Sequence, residues 1–538
     1  MKRHSFIFGA FVLAIGGILA KIVGAFYKIP LTNMLGTNGM GLYYLVFPMY
    51  SLILVLVSSG ISVGVSKLVA EERGKNTCRK NELKILHSAL LYVCVLGTFF
   101  GVLICLLSKT ISNIQGNVNA WLGYIAIAPG IIFASIISVF RAYFQGQENM
   151  LPTSVSNIFE QIIKLVSGLL LTNLFLPYGI IYGVCGAVLG VTISEFTALI
   201  QIWINYACFK KKNEHIFNEY NNNDNEELSF KQAFVKLVKY SLPATLSSLI
   251  LPITGLLDSF MIINILVKSG FSNTAATSLY GISNGIVSNL VSLPVVVITS
   301  LATAILPNIS RLYSENNTKE ITFRCSLYVK LTWLIALPCF VIFVVLAPDI
   351  ISVLYKNGLS DLVINEFTYS YKLLMISSVS IIYYAFVQAF TSMLQSINKP
   401  MLPVVSFSVA LVVRVLLVWL LVSQPAINIF GQILANTIFL LVATLVNLIF
   451  VKKYIPLDFS VQRMFVSPVF CAMVMGCLTY ITRLWLANTA SWLSLGISAV
   501  VGGVAYLGLV VVLQCFSPAE AENFPFMKKL FRKKRREK

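Results

Sequence analysis

Charge is what this chain has least of: only 11% of its 538 residues are charged and just three are histidine. A soluble fold of that length needs far more polar surface than this composition supplies. With 57% hydrophobic residues and a mean hydropathy of +0.83, lipid is the expected solvent. The histidines, His4, His87 and His215, lie far apart, and the sequence contains neither an HExxH pattern nor a GxxxxGK[ST] loop. That leaves no basis for a histidine metal site or a phosphate-gripping nucleotide loop. The ten cysteines, among them Cys94, Cys105, Cys185, Cys339, Cys471 and Cys477, are scattered through apolar stretches without paired spacing. They read as packing residues, so no disulfide framework, metal or other cofactor is expected. Acids are also rare in the expected outer loops. Only the stretch 347 to 372, with Asp349, Asp361 and Glu366, offers several. A membrane-embedded glycan polymerase, which needs placed carboxylates or a metal, is therefore the weakest of the readings, and the chain is expected not to be an enzyme.

Apolar runs are what the sequence has in abundance. A helix needs about 20 apolar residues to cross about 30 Å of hydrocarbon, and such runs can be drawn about fourteen times. The first six lie near 6 to 28, 42 to 66, 85 to 107, 119 to 143, 156 to 176 and 180 to 208. Six more lie near 236 to 264, 277 to 306, 326 to 348, 369 to 395, 401 to 422 and 428 to 451, and two near 464 to 486 and 491 to 515. The first run is read as a span and not as a cleaved leader, because Lys21 interrupts it and no small-residue cleavage site follows. The fold class is thus an all-α integral membrane protein.

The net charge of +19 points to topology and not to nucleic acid. About 31 of the 40 Lys and Arg fall at the N-terminus, in every second loop or in the tail. This bias predicts a multi-pass cell-membrane protein with both termini cytoplasmic. The tail, Lys528, Lys529, Arg532, Lys533, Lys534, Arg535 and Arg536, is a topology determinant that can also meet anionic headgroups.

The segment FQGQENMLP from Phe144 returns as LQSINKPMLP from Leu394, and each copy sits between long apolar runs. LYYLVFPMYSLILVLVSSGISVGVSKLVAEE from Leu42 has a weaker echo in the stretch from Leu279, with a central proline and a Ser-Lys or Ser-Arg exit in both. Six spans on either side of one polar linker predict two six-helix lobes in the same orientation, related by pseudo-two-fold symmetry. The expected organisation is a lobe over 1–209, a linker over 210–235 and a second lobe over 236–453. Two additional helices over 454–515 and a basic tail over 516–538 complete it. Such a build is the usual one for a transporter, because rocking one bundle against the other exposes a substrate to either side.

An ionisable side chain at mid-span costs about 2.5 to 3.5 kcal/mol, so one that is kept faces protein or water. Lys21 and Lys28 stand seven positions apart on one face of the first span, where they can line a cationic cavity. Glu160 and Lys164 are spaced i to i+4, the geometry of an intrahelical ion pair or of a pair that substrate or a proton divides. Arg414 in the eleventh span has no acid close to it in sequence and is the better ligand candidate. Glu195 and Asp258 are deep acids, expected to neutralise a buried cation or to take up a proton or Na+.

The run RAYFQGQENMLPTSVSNIFEQIIK from Arg141, with GMGLYYLVFP from Gly39 and its closing SKLVAEE, resembles the stage V sporulation protein B group of polysaccharide transport proteins. That group belongs to the multidrug/oligosaccharidyl-lipid/polysaccharide exporter superfamily and is similar to the lipid II flippases. The resemblance covers essentially the whole chain. It implies movement of an undecaprenyl-diphosphate-linked saccharide from the inner to the outer leaflet through a cationic cavity between two lobes. A diphosphate needs fixed positive charge, which Lys21, Lys28, Lys164 and Arg414 can supply. Related flippases carry two essential basic residues in the first helix; Lys21 falls on the first, and Lys28 is about one position away from the second. They also carry an arginine in the eighth span, where this chain has Asn284. Expected partners are the lipid-linked substrate, membrane lipids and a coupling Na+ or H+, with no nucleic acid. The alternative within the superfamily, a cation-coupled drug exporter, would call for a cavity dominated by acids.

Overall fold

The computed structural model describes residues 3–74, 79–212, 228–315, 317–360, 364–458, 462–517 and 520. The centre of the expected linker, 213–227, and the basic stretch 521–538 lie outside the described residues. So does Asp361. Among the described residues every regular element is helical. In hydrocarbon this is dictated by the backbone, since each N–H and C=O must find its partner within its own segment.

Among the described residues thirteen helical stretches are long and apolar enough to span a membrane. They account for the expected spans with one merger. The first two spans share the continuous stretch Ile15–Arg73. Helix α1 (Arg3–Leu54) passes through a π-helical turn at Val55–Ser59 into α2 (Gly60–Gly74). Within α1 only Gly36 leaves helical geometry, at φ 67° and ψ 178°. That φ costs a residue with a Cβ about 1–2 kcal/mol, so glycine marks the boundary between the two spans.

Next come α3 (Arg79–Ile114), α4 (Trp121–Gly146), α5 (Leu151–Phe175) and α6 (Ile180–Lys212). The seventh span, expected as one helix over 236 to 264, is two: α7 (Phe230–Ser248) and α8 (Ile250–Lys268). Pro243 and Pro252 flank the break at Leu249 and each withholds a backbone donor from the ladder. Helix α9 (Asn273–Gly281) runs through a π-helical turn, Ile282–Val287, into α10 (Ser288–Ser314). The remaining helices are α11 (Thr318–Val345), α12 (Ala347–Tyr355), α13 (Glu366–Ser377), α14 (Val379–Ser396), α15 (Met401–Val422), α16 (Phe430–Tyr454), α17 (Ser467–Trp485) and α18 (Ser491–Val512).

Contacts divide the chain into two units. The first comprises Met1–Asn289, Asn357–Glu366 and Val415–Gln432. Within it α5 packs on α6, α3 on α4, α4 on α6 and α1 on α5. Lipid gives no hydrophobic drive between helices, so close approach of small residues does the work. A Cβ on Gly190 of α6 would strike the backbone of Gly168 on α5, and one on Gly168 would strike the ring of Tyr27 on α1. Glu366 fastens its segment to this unit by accepting hydrogen bonds from the Thr37 hydroxyl at 2.5 Å and the Ser360 N–H at 2.7 Å.

The second unit comprises Leu290–Lys356, Phe367–Arg414 and Ile433–Lys538. Its core stacks Trp333 on Phe386 at 5.3 Å between ring centroids. The two last helices pack against α11, where Tyr506 donates a hydrogen bond to the Leu334 carbonyl at 3.0 Å. Arg483 of α17 pairs with Asp349 at the start of α12.

The repeated motif forms the same turn in both units. After α4 the Asn149 N–H reaches back to the Phe144 carbonyl at 2.9 Å, and after α14 the Lys399 N–H reaches the Leu394 carbonyl at 3.0 Å. The matched residues Glu148 (φ 57°) and Asn398 (φ 62°) both adopt the left-handed conformation that closes such a helix end. In the first copy Gln147 is fixed further: its side chain donates to Glu82 of α3 and its carbonyl accepts from Arg73 of α2.

A candidate charged site in the first unit

Helix α1 turns an aromatic face inward: Tyr27, Tyr43 and Tyr50 are buried, with Tyr44 and Phe47 beside them. On this face Tyr43 and Phe47 lie 4.3 Å apart with their planes tilted by 33°, and Phe47 meets Tyr50 edge-on at 6.0 Å. Lys28 lies 5.5 Å over the Tyr44 ring. Lys164 comes from α5 and lies 5.9 Å over Tyr27 and 5.6 Å over Phe47. The ring faces offer these ammonium groups partial compensation without a counter-charge. Among the described residues no carboxylate stands within ion-pair distance of Lys28 or Lys164. Lys21 is exposed on α1.

The expected intrahelical pair of Glu160 with Lys164 is not formed. Glu160 instead takes its partner from α4, accepting from Arg141 at 2.9 Å. Arg141 also donates to the Ser156 hydroxyl at 2.8 Å, so one planar guanidinium binds two groups on α5. That fork outcompetes an ammonium.

Glu195 has no cation within ion-pair distance among the described residues, so of its two expected roles that of counter-ion to a buried cation is not met. Its Oε1 accepts from the Tyr50 hydroxyl, and its Oε2 has no hydrogen-bond partner. Glu195 is only 4% exposed. It lines a cavity of about 330 Å³ with Tyr50, Ser138, Arg141, Asn157 and Glu160. Asp258 lies elsewhere in the unit, buried, and accepts from Gln432 at 3.3 Å. In the second unit Arg414 is buried, with its guanidinium 5.8 Å over the Phe439 ring. Asn284, at the position where related flippases have arginine, donates to the Tyr280 carbonyl at 3.2 Å.

The structure therefore brings Lys28, Lys164, Glu160 and Glu195 into one unit, where the two acids are bonded by Arg141 and Tyr50, which sequence reasoning did not single out as site members. Tyr50 was hidden among many span aromatics. Arg141 opens the quoted motif, but its role depends on which helix packs against α4.

These features define a polytopic helical membrane protein with charged groups held inside a helical bundle. The profile of the family described as Polysaccharide biosynthesis protein matches residues 7–313. The chain belongs to that family. A second profile, MatE, matches residues 243–420. Stage V sporulation protein B of Bacillus subtilis (strain 168) is 26% identical over 98% of this chain and 99% of its own length. The Lipid II flippase MurJ of the same strain is 24% identical over 93% of this chain and 94% of its own. Among solved structures, the Lipid II flippase MurJ in an inward closed conformation superposes with a TM-score of 0.72 at 15% identity, covering 94% of this chain and 99% of that one. An inward-facing multidrug resistance MATE family transporter of the MOP superfamily gives 0.61 at 14% identity, covering 84% and 99%. These structural likenesses establish the fold.

Proposed function

We propose that this protein is a flippase that carries an undecaprenyl-diphosphate-linked saccharide, either lipid II or a polysaccharide repeat unit, from the inner to the outer leaflet by alternating access. The observation that carries the reading is the pair Lys28 and Lys164: two cations held on aromatic rings inside an apolar bundle, with no carboxylate at ion-pair distance among the described residues. Keeping such charges costs about 2.5 to 3.5 kcal/mol each at mid-span. An anionic cargo offsets that cost, and a diphosphate is the densest anion such a lipid presents. Lys21, Lys28 and Lys164 in one unit and Arg414 in the other are the residues assigned to the headgroup. Full-length similarity to stage V sporulation protein B and to a lipid II flippase supports the same cargo class. The positive-inside bias supports cytoplasmic termini for this chain. The two six-helix repeats, 1–209 and 236–453, supply the rocking elements.

Depleting the protein and identifying which undecaprenyl-linked precursor accumulates in the inner leaflet tests the proposal and names the saccharide. A second reading, a cation-coupled drug exporter, draws on the MatE profile match and the buried Glu195. It predicts drug sensitivity on depletion with no change in lipid-linked precursors.

A further inference from the structure

We propose that Glu195 is the proton-binding site of this transporter and that Arg141 is the element its protonation state moves. This rests on the flippase reading and selects one coupling residue from Glu160, Glu195 and Asp258. The three acids differ in what surrounds them. Glu160 is already neutralised by Arg141, and Asp258 is hydrogen-bonded by Gln432. Glu195 is buried, has no cation at ion-pair distance among the described residues, and leaves Oε2 without a hydrogen-bond partner. A bare carboxylate cannot be kept in such a place; it takes a proton or finds a cation.

The geometry supplies both the place for the proton and a route to it. Tyr50 on α1 occupies Oε1 as donor, so the proton belongs on Oε2. Gly130 on α4 leaves room for that oxygen, since a Cβ there would collide with it. The group lines the cavity of about 330 Å³ that Arg141 and Glu160 also line. The charged groups acting on Glu195 are Glu160 and Lys164 from α5 and Arg141 from α4, with the Tyr50 hydroxyl from α1.

This arrangement gives Arg141 two carboxylates to serve. With Glu195 neutral, Arg141 pairs with Glu160 and Ser156, the arrangement seen here. When Glu195 releases its proton to water in the cavity, a second carboxylate faces the same cation. Arg141 is then drawn toward it, loosening the contact between α4 and α5. One proton is transferred, and no other bond is made or broken. Proton exchange is thereby linked to packing beside Lys164, one of the residues assigned to the headgroup.

The test uses the full chain in lipid nanodiscs and reads infrared absorption of protonated carboxyl groups across a pH titration, with and without Na+. The expected result is a protonated-carboxyl band at neutral pH that Glu195→Gln removes, that Asp258→Asn leaves in place, and that Na+ does not alter. A Tyr50→Phe variant should shift its titration. An unchanged spectrum in Glu195→Gln overturns the proposal, and so does a band that Na+ abolishes, which assigns the site to Na+. Gel filtration and melting of each variant show that it is folded. The spectrum needs no cargo, so it stands apart from the flippase reading: if the wild type moves no lipid-linked saccharide, that reading fails while the proton site is judged on its own band. In complementation, Glu195→Gln should fail where Glu195→Asp retains function with altered dependence on external pH. Wild-type pH dependence in a functional Glu195→Gln also overturns the coupling.

Discussion

Glu160 on α5 takes its charge from Arg141 on α4, at 2.9 Å, and not from Lys164 one turn along its own helix. The consequence reaches both residues. Arg141 ties two helices together, and Lys164 stands over Tyr27 and Phe47 with its charge available to an anion.

Breaking that tie from one side should be costly. Arg141→Gln or Glu160→Gln should each lower stability by about 1–3 kcal/mol, less than for a fully buried pair because both side chains are partly solvated. The double variant should lose less than the sum of the two. Melting curves in detergent across the double-mutant cycle check this, and strict additivity would show that the pair contributes nothing.

Neutralising the cations should have the opposite balance of effects. Lys21→Ala, Lys164→Ala and Arg414→Ala should each abolish complementation of a depletion strain while membrane levels stay near wild type, since removing a charge from within a span relieves an insertion cost. Lys21→Arg should be tolerated, because a diphosphate accepts either cation. Immunoblots of the membrane fraction beside growth curves read both quantities.

The two left-handed turn residues offer a paired test of the repeated motif. Glu148→Gly and Asn398→Gly should each stabilise or be neutral, within about 1 kcal/mol, because glycine adopts that φ freely. Glu148→Val and Asn398→Val should each destabilise by about 1–2 kcal/mol, since a β-branched side chain strains there. Matched shifts at both sites in thermal melts are expected; a shift at only one would mean that the two turns bear different loads.

Close helix contact should also be sensitive to a single methyl. Gly190→Ala places a Cβ against the Gly168 backbone, which a flexible side chain cannot relieve, and should lower stability by about 1–3 kcal/mol. Melting temperature against a surface control such as Gly496→Ala, whose Cβ meets nothing within 4 Å, measures the difference.

What was legible in the sequence follows from what is local. Span positions came from apolar runs, and the turn after Phe144 and Leu394 came from a motif whose hydrogen bonds close within six residues. Gly36 sits in a stretch that reads as a loop, yet the helix continues on both sides of that one residue. The break at Leu249 was missed because apolar composition is the same on either side of it. The partner of Glu160 stays open in the sequence because i to i+4 spacing names a possible partner but not its competitors on a neighbouring helix. Arg141 and Tyr50 became visible only when α1, α4, α5 and α6 were assembled.

The central claim is tested most directly in liposomes that hold the purified chain and an undecaprenyl-diphosphate-linked saccharide loaded in one leaflet. The quantity measured is the rate at which a membrane-impermeant reagent on the far side gains access to the saccharide. The account predicts appearance on the far side with wild-type protein and with Lys21→Arg, and none above protein-free liposomes with Lys164→Ala or Arg414→Ala. Equal rates in wild-type and protein-free liposomes, or undiminished rates in both alanine variants, would contradict it.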